Sequence, residues 1–75
     1  MTTAEKAAQL KAYLDRVLDG KRSVTVGNED DIPQLYQDFM HLAAVRLELS
    51  KHGYAIDLPT FGRVSVDIYR FPSSN

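Results

Sequence analysis

The hydrophobic period of this chain changes from helical to extended within one corner, "DGKRSVTV" at residues 19–26, and that change dictates a fold mixing helix and sheet. Upstream, Ala7, Leu10, Leu14 and Val17 recur at alternating spacings of three and four, with Leu18 widening the stripe. Such spacing gives an amphipathic helix one apolar face. Thr2 with Glu5 fits a capping box, in which the hydroxyl accepts from a first-turn amide and the carboxylate reaches back to the cap, so the helix starts there. Gly20 ends it, because glycine tolerates the left-handed conformation that closes many helices. Lys21 and Arg22 follow, where the partial negative charge of the last carbonyls favours cations. Ser23–Val26 then alternates polar and apolar with branched side chains, predicting a short strand with Val24 and Val26 facing inward.

Downstream, "GNEDD" (residues 27–31) is a turn whose acids lack the spacing of an EF-hand loop. Asp31 with Gln34 predicts helix capping, with Pro33 accepted in the first turn. A second helix is expected from about Ile32 to Lys51, before His52 and Gly53. Ile32, Leu35, Tyr36, Phe39, Ala43 and Leu47 form its stripe; Leu42, Val45 and Leu49 extend it on one side, Met40 and Ala44 on the other. This face is wider than the first helix can cover, so either the C-terminal segment or a second subunit should lie on it. Arg46 falls among these apolar positions and is expected to snorkel outward or to pair with an acid, across an interface if one forms there.

"YAIDL" and "RVSVDIYRF" alternate with period two around "PTFG", a proline-to-glycine connection that predicts a hairpin. Tyr54, Ile56 and Leu58 share one face, and Val64, Val66 and Ile68 another that meets it. Tyr69 and Phe71 fall on the polar side of the last strand with Arg63, Ser65 and Asp67, a pattern suited equally to docking and to packing onto a helix. Residues from about 72 to 75 read as a loose tail. The expectation is one α+β domain over residues 1–75, two helices packed with a small antiparallel sheet in the order α-β-α-β-β.

A chain of 75 residues without cysteine has no disulfide framework and no thiolate metal site. At this size folding buries only about 60% of the unfolded surface, so stability is marginal and self-association is a natural remedy. Nine basic against ten acidic residues, a formal charge of -1, argue against a chain whose main task is to neutralise phosphates. No apolar run spans a bilayer and no basic-then-apolar leader opens the chain, which points to an intracellular soluble protein with no membrane partner. Residues 1–26 hold five basic and three acidic side chains, residues 27–50 one and five, and residues 51–75 three and two. Unlike charges in different segments suit contact between copies, although an ordinary solvated surface produces the same split and is the reading favoured here.

Chemistry is thinly provided. His41 with Asp38 is an ordinary same-face pair on a helix, and His52 sits at a helix C-terminus, where positive charge is favoured. Asp57 and Asp67 fall on the two hairpin strands, but like charges placed opposite each other destabilise a ladder. There is no dinucleotide or phosphate-loop motif. No catalytic residue, cofactor or metal site is expected.

The stretch "MTTAEKAAQLKAYLDRVLDGKRSVTV" resembles the start of the lambda-type phage head-completion protein W family, with its short Met-Thr opening, its helix rich in alanine and leucine, Gly-Lys-Arg, and a strand of valine and threonine. The resemblance covers residues 1–26, and its most specific element is Gly20, Lys21 and Arg22 with Thr25 and Val26. It implies a small α+β fold with two helices on a β-hairpin, and no enzymatic activity or cofactor. It implies a structural role in a virion: a subunit that self-associates into a ring beneath the portal protein and offers a platform to the next neck or tail component. Its place is then the virion neck, with the cytoplasm of the infected bacterium before assembly. The family has a complete hairpin between its helices, whereas "GNEDD" leaves room for one strand here. By this reading the partner-binding residues are Lys21, Arg22, Leu42, Arg46, Leu49, Tyr69, Arg70 and Phe71, and the last strand pairs with a neighbouring chain's sheet edge. There are two rival readings: a small homodimeric phage-encoded regulator or inhibitor of a host protein, using the same apolar helix face and the terminal hairpin, and a nucleic-acid module built on Lys21, Arg22, Arg63 and Arg70. The acidic middle weighs against the last, and no sequence-specific nucleic-acid partner is expected.

Overall fold

The computed structural model describes residues 1–72 and is α+β. Helix α1 spans Thr3–Leu18, strand β1 Ser23–Val26, a 3-10 turn Glu29–Asp31, helix α2 Gln34–Met40, helix α3 Ala43–Lys51, strand β2 Tyr54–Asp57 and strand β3 Val66–Arg70. The three strands form one antiparallel sheet in the order β1-β3-β2. Of the tail expected at 72–75, only Pro72 lies within the described residues, and it is exposed.

Helix α1 follows the pattern expected of it. Both capping-box bonds are made, Glu5 N–H to the Thr2 hydroxyl at 3.1 Å and Thr2 N–H to the Glu5 carboxylate at 3.0 Å. Ala7, Leu10, Leu14 and Leu18 are buried, and Val17 packs against them. The left-handed turn at its end is shared, with Asp19 at φ 50° and Gly20 at φ 81°. One non-glycine residue in this conformation is affordable to aspartate more than to most side chains.

The expected second helix is two helices. Leu42 is extended (φ -86°, ψ 116°) and separates α2 from α3 with neither glycine nor proline in the break. The core supplies the reason. Met40 and Leu49 are both within 1% of full burial, yet at about 100° per residue a continuous helix would point them in opposite directions. Resetting the helix at Leu42 turns both inward. The cap before α2 also differs from expectation: Asp31 closes the 3-10 turn, which is capped by the Asn28 side chain accepting from Asp30 N–H at 2.9 Å, while Pro33 holds the N-cap of α2 without a side-chain bond.

One side of the sheet meets the helices. Val66, Ile68 and Tyr54 face the buried leucines of α1 and the core residues Phe39, Met40, Val45 and Leu49 of α2 and α3. The other side carries Ser23, Thr25, Ala55, Asp57, Asp67 and Tyr69, and among the described residues no helix covers it. Residues 58–65 form a longer connection than the tight hairpin expected, and Val64, expected inside, is 60% exposed on it. Because β3 has a partner on each side, it cannot pair with a neighbouring chain; the open edges belong to β1 and β2.

Candidate interaction surface

The corner after α1 and the end of β3 meet. Arg70 N–H donates to the Arg22 carbonyl at 2.8 Å, and Phe71 N–H donates to the Gly53 carbonyl at 2.7 Å, so the end of β3 is held on both sides. As a result Lys21, Arg22 and Arg70, which lie far apart in sequence, line one shallow concavity of about 230 Å³ with Gly20 and Pro72. None of the three cations has an acidic partner among the described residues. Arg63 does not join them: it binds Asp57 at 3.3 Å and Asp67 at 3.4 Å and donates to the Leu58 carbonyl at 2.9 Å. The four-residue basic set of the nucleic-acid reading is therefore divided, with its fourth member tied to carboxylates.

Beside this concavity, Tyr69 and Phe71 project from alternate positions onto the uncovered side of the sheet. Their rings lie 6.4 Å apart between centroids and are inclined by 17°. Phe71 is 57% exposed, so the stacking leaves much of its surface open. Aromatic rings beside arginines are the composition that protein interfaces favour.

The second-helix residues separate into three kinds. Leu42 is exposed, as are Leu35 and Leu47, so part of the surplus apolar surface stays uncovered by this chain. Arg46 neither snorkels free nor pairs with an acid; its guanidinium donates to the Met40 carbonyl at 2.8 Å and so caps the C-terminal end of α2 across the break. Leu49, expected at the partner surface, is 1% exposed and belongs to the core, because the break at Leu42 rotates α3.

Of three further side-chain groupings, the sequence reading weighed only the first, and set it aside as unfavourable. Asp57 and Asp67 are directly in register, with Thr25 donating to Asp67 at 2.5 Å and Arg63 between the carboxylates. Only a known register reveals this. His41 contacts Glu29 at 2.7 Å, while Asp38, its expected partner, accepts from Gln34 at 2.9 Å. Finally, the Tyr54 hydroxyl donates to Asp15 at 2.5 Å and Lys11 reaches the other carboxylate oxygen at 3.1 Å, joining α1 to β2. Partial burial works to raise the Asp15 carboxyl, but the hydrogen bonds from Tyr54 and Lys11 and the charges of Lys11 and Arg70 outweigh it and hold it below its ordinary value. Burial, reinforced by the bond to Asp15, raises the Tyr54 hydroxyl, and the bond to Asp15 raises the Lys11 ammonium.

A second concavity, of about 240 Å³, lies between α1 and α3 and is lined by Ala4, Ala7, Ala8, Leu49, His52, Lys11 and Glu48. Among the described residues no group of three or more His, Asp or Glu side chains is gathered as a metal ion requires, and no helix is long and apolar enough to cross a membrane. No family model matches the chain, and comparison with curated proteins and with solved structures finds no significant match.

Proposed function

We propose that this chain is a structural adaptor of a tailed phage, a head-completion or head-to-tail connector subunit that gathers into a ring beneath the portal protein and presents a platform to the next neck or tail protein. The observation that carries a docking role is the exposed Tyr69–Phe71 pair beside Lys21, Arg22 and Arg70, cations with no acidic partner among the described residues. A phage setting is supported by the likeness of residues 1–26, which form helix α1, the corner and strand β1, to the protein W family. Uncovered Leu35, Leu42 and Leu47 agree with a subunit that gains stability from assembly, since binding to the folded state stabilises it by mass action.

The test is to add the purified chain to DNA-filled heads that carry portal but no completion proteins, and to image the vertex. Ring-shaped density under the portal supports the reading. A chain that stays free of such heads overturns it, and capture of a host enzyme by the same chain would favour the regulator reading instead.

A further inference from the structure

We propose that two copies of this chain pair edge to edge through β1, antiparallel about a two-fold axis, to form one six-stranded sheet. This inference goes beyond the connector reading and does not depend on it. Strand β1 lies at the edge of the sheet, and the bond from Arg70 N–H to the Arg22 carbonyl fixes the phase of its ladder. Arg22, Val24 and Val26 therefore direct their backbone groups at β3, while Ser23 and Thr25 direct theirs outward. An open row of this kind is a template for another strand. The opposite edge is less suited, because Arg63 folds onto the Asp57 side chain and the Leu58 carbonyl at the end of β2.

Charge identifies the occupant. The basic concavity of Lys21, Arg22 and Arg70 lies at the start of β1, and the acidic turn Glu29–Asp31 lies just past its end. Glu29 is engaged by His41, but the Asp30 and Asp31 side chains are exposed, with no ion-pair partner among the described residues. Antiparallel pairing reverses one strand against the other. A β1 edge beside its own copy thus brings the basic corner of each chain to the acidic turn of the other, and the match is made twice by symmetry. Parallel pairing would set like against like at both ends. In a two-fold contact the same patch serves both chains, which is what a strand with opposite charges at its two ends provides.

The experiment uses the full chain and two charge-swapped variants, Lys21→Glu with Arg22→Glu, and Asp30→Lys with Asp31→Lys. All four side chains are exposed, so both variants should keep the parent's circular dichroism spectrum and, at concentrations too low for the parent to dimerise, its melting curve. Sedimentation equilibrium should show a dimer for the parent, weakened by added salt, and at least about tenfold weaker association for each variant alone, since like charges then face each other. An equimolar mixture of the variants should restore a dimer containing one of each. Amide exchange at Ser23 and Thr25 should slow as the dimer forms. A parent that stays monomeric throughout, a dimer indifferent to both swaps, variants that fail to recombine, or protection that spares Ser23 and Thr25 would each overturn the proposal.

Discussion

Asp57 on β2 and Asp67 on β3 are Cα partners in the ladder, and the guanidinium of Arg63 reaches both carboxylates. Paired like charges weaken a ladder, so the cation reaching over from the connection makes this register tolerable. Replacing Arg63 by methionine is expected to lower stability by about 1 kcal/mol, the scale of partly exposed ion pairs and cross-strand contacts. Adding Asp57→Asn should recover most of that loss. Urea titrations of the three proteins measure it, and an undiminished midpoint in the Arg63 variant would show that the two carboxylates do not repel.

Leu42 leads to a sharper test, because one substitution separates a broken helix from a continuous one. Ala43 is exposed, occupies the first position of α3 and follows a residue with extended backbone, which are the conditions proline prefers. Ala43→Pro should therefore be neutral or stabilising by up to about 1 kcal/mol. In an uninterrupted helix from Ile32 to Lys51 the same change would cost about 3 kcal/mol. Thermal denaturation decides between the two.

Two glycines with similar backbone angles should respond differently to alanine. Gly20 at φ 81° has open space around it, so Gly20→Ala meets only the left-handed penalty of about 1 kcal/mol. Gly53 at φ 85° would place a Cβ 2.6 Å from the Phe71 carbonyl oxygen, which is backbone and cannot rotate aside. Gly53→Ala should cost at least about twice as much as Gly20→Ala, with the excess arising from displaced β3. Equal losses in chemical denaturation would contradict the close approach.

The contact among Lys11, Asp15 and Tyr54 predicts a pH dependence on two sides. Asp15 titrates below its ordinary value in the folded chain, so its contribution is present at neutral pH and is lost as pH falls below about 4 through the lower folded value. Tyr54 and Lys11 titrate above theirs, so their contribution holds at neutral pH and is lost as pH rises past about 10. Tyr54→Phe should cost about 1 kcal/mol at pH 7 and flatten both flanks of the stability profile. A variant whose profile keeps the parent's shape would disconnect this contact from the pH response.

For the docking surface, Tyr69→Ala with Phe71→Ala should leave the melting temperature within a few degrees of the parent, because both rings lie on the uncovered face. The same variant should lose vertex density on portal-bearing heads. Retained density would move the contact to another part of the surface.

How far such features could be read in advance depended on whether their cause was local. The Thr2–Glu5 box, the α1 stripe and the alternation of Ser23–Val26 each depend on residues within a few positions, and all three stand in the structure. The break at Leu42 leaves no local mark, since it answers to the separate demands of Met40 and Leu49 on one core. Similarly, the gathering of Lys21, Arg22 and Arg70 depends on β3 entering between the other strands, and the Asp57–Asp67 pairing depends on register. A period of two tells which residues share a face; it does not tell which strand lies in the middle.

That middle position has a consequence for biosynthesis. Val66–Arg70 follows both of its neighbours in the chain, so while the ribosome is still making residue 65, neither Ser23–Val26 nor Tyr54–Asp57 has anything to pair with. The helices can collapse early through near contacts, whereas the sheet must await one late segment that joins strands separated by about forty residues. The sheet therefore cannot close before Val66–Arg70 has been made, and a chain cut short ahead of that segment would leave two ribbons unpaired and open to a quality-control protease.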